Sequence, residues 1–121
     1  MCVTEPLFLL DSNIVIYILK DARCRAAQRL QDCTVGSVVT SAIVYAEVMR
    51  GVIRREPEQA ATASRFFDVV PIRPFDGHAA SIYAQMPFRR GSFDRLIAAH
   101  ALALDLTLVT NNEGDFADVA G

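Results

Sequence analysis

At 121 residues the chain is the size of one domain, expected over 1–121, able to bury roughly two-thirds of its unfolded surface in a single core. It is 52% hydrophobic and 21% charged, with 12 basic and 14 acidic residues. That composition argues against a disordered chain, and the net charge of −2 gives no overall basic field of the kind that marks many nucleic-acid binders. Cys2, Cys24 and Cys33 form an odd set without CxxC spacing. They suggest neither a disulfide framework nor a zinc site and suit a reducing cytoplasm. The N-terminus lacks the basic region of a signal peptide, and no apolar run approaches the ~20 residues of a membrane span. A soluble, cytoplasmic protein with no membrane partner is expected.

In chain order, "LFLL" at 7–10 is a short continuous apolar run, the pattern of a strand buried on both faces. "NIVIYILK" follows it, and "DARCRAAQRLQD" reads as an amphipathic helix. "VGSVVTS" is β-branched and short, a second strand. "AIVYAEVMRGVIRR" has helix length and composition, with Ser41 as its N-cap. "PEQAATASRFF" suits a helix with Pro57 in the first turn. "VVPI" is the third strand, "DGHAASIYAQM" a helix capped by Asp76, "SFDRLIAAHALAL" the clearest helix and "LTLVT" the clearest strand. The order β-α-α-β-α-α-β-α-α-β predicts an α/β sandwich, a parallel sheet wrapped by helices with right-handed crossovers. No glycine-rich phosphate-binding motif follows any strand.

Ligands in such folds bind beyond the carboxyl ends of the strands, near the switch in strand order. Asp11 lies one residue past its strand. Helices that connect parallel strands return antiparallel to them, so their N-termini lie over the same edge. That brings in Asp94 from the first turn of its helix and Glu47 from a turn and a half into its own. Asp115 follows the fourth strand by five residues, across the turn "NNEG". Each acid has an ordinary reading as well: Asp11 as an N-cap, Asp94 as a helix-dipole partner, Asp115 as a solvated loop residue. Glu47, set between Ala46 and Val48 in an apolar helix, is the least comfortable as a purely structural residue. Like charges ~4 Å apart repel by about 4 kcal/mol at an effective dielectric of 20, so the four together call for a cation or raised pKa values. All-oxygen donors without His or Cys select Mg²⁺ or Mn²⁺, ions suited to activating water for attack on a phosphodiester. Setting these four acids aside leaves ten acidic residues against 12 basic, a mildly positive remainder. Asn111 and Asn112 are turn residues or hydrogen-bonding supports for Asp11 and Asp115. His100, in an alanine-rich helix, reads as structural. Arg89, Arg90 and Arg95 form a solvated basic loop or grip phosphates beside the acids.

The blocks "FLLDSNIVIYILK", "TSAIVYAEVMRGV", "GSFDRLIAAHALAL" and "LTLVTNNEGDF" resemble the four acidic blocks of PIN-domain proteins. More narrowly, they resemble the toxin ribonucleases of bacterial VapBC-type toxin–antitoxin modules, over nearly the whole chain. The resemblance implies a three-layer sandwich with a parallel sheet of four to five strands. Asp11, Glu47, Asp94 and Asp115 match the family's metal-binding, catalytic carboxylates, and Asn13, Thr110 and Asn112 its supporting polar positions. It further implies a homodimer, a VapB-like antitoxin that blocks the active site, and Mg²⁺- or Mn²⁺-dependent cleavage of RNA. The segment "YAQMPFRRGSFDR" is shorter than the usual connection before the third acid, and family members commonly run past the point of Gly121 into another short strand. Two other classes share parts of this pattern. A receiver-like signalling domain needs a late lysine, and the one lysine here is Lys20. A catalytically weak or inactive PIN-like module that binds RNA or a partner has no reason to keep four repelling acids.

Overall fold

The computed structural model describes residues 6–34, 36–87 and 93–110. Strand β1 (Phe8–Leu10) leads through helices α1 (Ser12–Lys20) and α2 (Arg25–Gln31) to β2 (Val38–Ser41). Helix α3 (Ala42–Arg55), a 3-10 turn (Pro57–Gln59) and α4 (Ala60–Val69) lead to β3 (Ile72–Arg73). Helices α5 (Gly77–Gln85) and α6 (Asp94–Leu104) return the chain to β4 (Thr107–Val109). The alternation expected from the sequence is the one observed, with Pro57 opening a 3-10 turn ahead of α4.

The described strands form one sheet in the order β3-β2-β1-β4, all pairs parallel. The chain moves outward from β1 to β3 and then crosses back to place β4 on the far side of β1. Right-handed crossovers put α1–α4 on one face and α5–α6 on the other, giving three layers. The strands are only two to four residues long, yet β1 and β2 are almost wholly buried. Leu9, Val39, Val15, Val44, Ile97 and Phe67 are among the side chains that fill the core from both faces. Among the described residues, no helix is long and apolar enough to cross a membrane.

Local capping chemistry decides where helices start. Ser41 caps α3, its Oγ accepting the Ile43 N–H at 3.0 Å, and Asp76 caps α5 by accepting the Ala79 N–H at 3.0 Å. Helix α6 ends in a left-handed turn at Asp105 (φ 57°), where the Leu106 N–H bonds back to the Ala101 carbonyl at 2.9 Å. One boundary differs from expectation. "VVPI" does not begin the third strand: Val69 belongs to α4, Val70 is its C-cap, and β3 starts at Ile72. Ala63, Phe67 and Val70 are buried at helical spacing, so burial of that stripe extends the helix until Pro71 stops it.

Candidate active site

The switch in strand order lies between β1 and β4, and the chain leaves β1 there through Asp11. Its N–H donates to the Val109 carbonyl of β4 at 3.1 Å, while the Thr40 hydroxyl of β2 donates to the Leu10 carbonyl at 2.9 Å. The turn is thus held from both neighbouring strands. Asp11 is extended (φ −84°, ψ 174°) and caps α1, Oδ1 accepting the Ile14 N–H at 3.0 Å. Its other oxygen, Oδ2, accepts the Thr110 hydroxyl from the end of β4. Asp11 is 2% exposed. Burial pushes its pKa up, opposed by the bonds from Thr110, Ile14 and Asn13.

Glu47 stands in the second turn of α3, half-buried, with Oε1 accepting the Ser12 hydroxyl at 2.6 Å. Its pKa is also raised, first by burial and then by the negative charges of Asp94 and Asp11, with the Ser12 bond acting in the opposite direction. Asp94 is the first residue of α6 and half-buried. Carboxylates from the end of β1, from α3 and from α6 therefore lie near the switch point, with Glu47 close enough to feel the charges of both Asp94 and Asp11. As they stand, no three His, Cys, Asp or Glu side chains among the described residues close into a chelating group. Asp115, Asn111, Asn112, Arg89 and Arg90 lie outside the described residues. The donors present are all carboxylate oxygens whose ionised forms destabilise one another. That is the chemistry a hard divalent cation relieves, so the residues fit such an ion.

The other expected site residues divide. Thr110 touches Asp11 directly, and Asn13, half-buried in the first turn of α1, offers its backbone N–H to the same carboxylate. Arg95 requires a correction: it is 2% exposed rather than part of a solvated basic loop, because α6 is enclosed on nearly every side and also buries Ile97, Ala98, Ala99, His100 and Ala101. A buried guanidinium is not placed to grip RNA phosphates. His100 is the structural residue expected of it. Its Nδ1 lies 2.8 Å from Ser41 Oγ, and its ring meets Phe75 edge-on at 5.4 Å. Sequence reasoning missed Ser12. The signal was its place directly after Asp11, but its partner Glu47 lies 35 positions away. A cavity of about 660 Å³ under α1 and α2 is lined mainly by apolar side chains such as Phe8, Leu10, Ile14 and Leu30. It borders the acidic site at Ile14, Val109 and Thr110, which all hydrogen-bond Asp11.

The chain belongs to the PIN domain family, whose pattern it matches over residues 8–121. It is 28% identical to the tRNA(fMet)-specific endonuclease VapC of Shigella flexneri, over 94% of this chain and 92% of that protein. It is 31% identical to ribonuclease VapC2 of Haemophilus influenzae, over 90% of this chain and 89% of that one. Among solved structures, DNA-bound VapBC from Salmonella typhimurium superimposes with a TM-score of 0.86 at 25% identity, covering 97% of this chain and 95% of that chain.

Proposed function

We propose that this protein is the toxin of a type II toxin–antitoxin pair, an endoribonuclease that cleaves RNA phosphodiester bonds with a divalent cation. The observation that carries the reading is the gathering of Asp11, Glu47 and Asp94 near the switch point, from segments far apart in sequence, where burial and then the charges of Asp94 and Asp11 raise the Glu47 pKa. The ribonuclease names of its relatives and a toxin–antitoxin complex from Klebsiella pneumoniae among its structural neighbours support it.

Asp11 and Asp94 are assigned as direct ligands, Asp115 as the acid that completes the site, and Glu47 as acting directly or through a bound water. Mg²⁺ is the expected ion, with Mn²⁺ as a substitute. Such an ion supplies Lewis acidity, lowering the pKa of water and offsetting charge that develops on the phosphodiester. The chain's own groups do the rest. The α1 cap and Thr110 fix Asp11, Ser12 holds Glu47, and Asn13 and Asn112 support the rim. Arg89 and Arg90 are the proposed phosphate contacts, without Arg95. The proposed partners are the RNA substrate, a VapB-like antitoxin that covers the site, and a second copy of the chain in a homodimer, all in the cytoplasm.

The test is incubation of the antitoxin-free protein with total cellular RNA and Mg²⁺ or Mn²⁺, beside parallel reactions with EDTA or with Asp94→Asn. Discrete cuts that vanish in both controls are expected. Cleavage that survives Asp94→Asn would defeat the site assignment. Binding of RNA and Mn²⁺ without cleavage would favour the binding-module reading instead.

A further inference from the structure

We infer that Ser12 is a positioning residue, whose hydroxyl sets the Glu47 carboxylate in the orientation from which it serves the cation; this rests on the metallonuclease reading above. Ser12 is the first residue of α1, where a serine side chain ordinarily faces water or bonds its own backbone. Here it reaches across to α3 and donates to Glu47 Oε1 at 2.6 Å, a short hydroxyl–carboxyl bond. Glu47 needs such a hold. Its side chain is unbranched and half-buried, with three rotatable bonds to be fixed, and it stands near two other carboxylates, Asp94 and Asp11. The hydroxyl bond to Oε1 restricts rotation of the carboxylate and holds it in one orientation. Because Ser12 directly follows Asp11, one turn of backbone sets both acids: Asp11 through the α1 cap and Glu47 through the hydroxyl. Partners that orient a ligating carboxylate are typically worth about 10–100-fold in metal affinity or activity.

The test compares wild type, Ser12→Ala and Ser12→Thr. Mn²⁺ affinity is read from the paramagnetic resonance of free Mn²⁺, RNA cleavage under saturating substrate, and thermal unfolding in EDTA. Ser12→Ala should weaken Mn²⁺ binding about 10-fold and lower turnover about 10–100-fold, with KM for RNA unchanged. Ser12→Thr, which keeps the hydroxyl, should stay within about twofold of wild type in both. A Glu47→Ala background should abolish the Mn²⁺ effect of Ser12→Ala. If Ser12→Ala binds Mn²⁺ and turns over like wild type, or if Ser12→Thr fails as badly as Ser12→Ala, the positioning role is overturned while the nuclease reading stands. Wild type that binds no Mn²⁺ would overturn both.

Discussion

Asp11 carries two duties on two oxygens. Oδ1 caps α1 and Oδ2 takes the Thr110 hydroxyl, so structure and candidate chemistry draw on one buried carboxylate. Its pKa is raised, so the folded state holds a proton more tightly than the unfolded chain does. The sign follows directly: ionising Asp11 costs stability as pH rises from about 4 through the folded value, and that cost is present in full at higher pH. Asparagine caps a helix as well as aspartate does. Asp11→Asn should therefore leave the metal-free unfolding temperature at pH 7 equal to or above that of wild type, while Mn²⁺ no longer raises it and RNA cleavage drops by about 100-fold or more. Asp11→Ala loses the cap as well and should cost about 1 kcal/mol by urea unfolding. An Asp11→Asn protein markedly less stable than wild type in EDTA would show that the charge is structural.

Helices α3 and α6 deliver Glu47 and Asp94, and a buried strut joins them. His100 of α6 meets Ser41, the residue that caps α3, so the contact spans 59 positions of sequence. Burial lowers the His100 pKa, opposed by the nearby Asp76 carboxylate and the Pro74 carbonyl. Here the linkage runs the other way from Asp11. Stability is complete above the unfolded histidine value of about 6.5 and is lost as pH falls below it, by at most about 1.4 kcal/mol per pH unit for one proton. His100→Asn should be less stable than wild type at pH 7, by about 1–3 kcal/mol. It should also lose less between pH 7 and pH 5.5 than wild type does. Urea unfolding at the two pH values reads the difference, and equal slopes would show that His100 does not titrate in this window.

At the scale of the molecule, the strand order β3-β2-β1-β4 makes the acidic site possible. Only with β4 beside β1 does Thr110 reach Asp11, and only with α6 crossing back does Asp94 come near Glu47. A folded chain that gathers carboxylates should be stabilised by the cation it binds. At a free Mn²⁺ concentration 100 times Kd the gain is about 2.7 kcal/mol, or roughly 10 °C in Tm for a chain of this length. EDTA should reverse the gain, and Asp94→Asn should remove most of it while changing the EDTA baseline by less than about 1 kcal/mol, the worth of an acid at a helix start. A Tm that ignores Mn²⁺ in wild type would show that no such ion is held.

The sequence by itself determined what short-range physics controls. Element order, the caps at Ser41 and Asp76, and the placement of Asp11 and Asp94 at element ends depend on residues within a few positions of one another. So does the parallel sheet, since paired helices between strands leave little other topology. Tertiary structure decided everything that depends on where a side chain points and what else competes for it. Val69 and Val70 read as strand, but Val70 is buried in one stripe with Ala63 and Phe67, which carries α4 through Val69. Arg95 read as a surface cation until α6 turned it inward. Ser12 and Glu47 lie 35 positions apart, and Thr110 and Asp11 lie 99 apart. No local pattern encodes those pairings: a hydrogen bond needs donor and acceptor brought to about 3 Å with good alignment, and that is fixed only when strand register and helix packing are fixed.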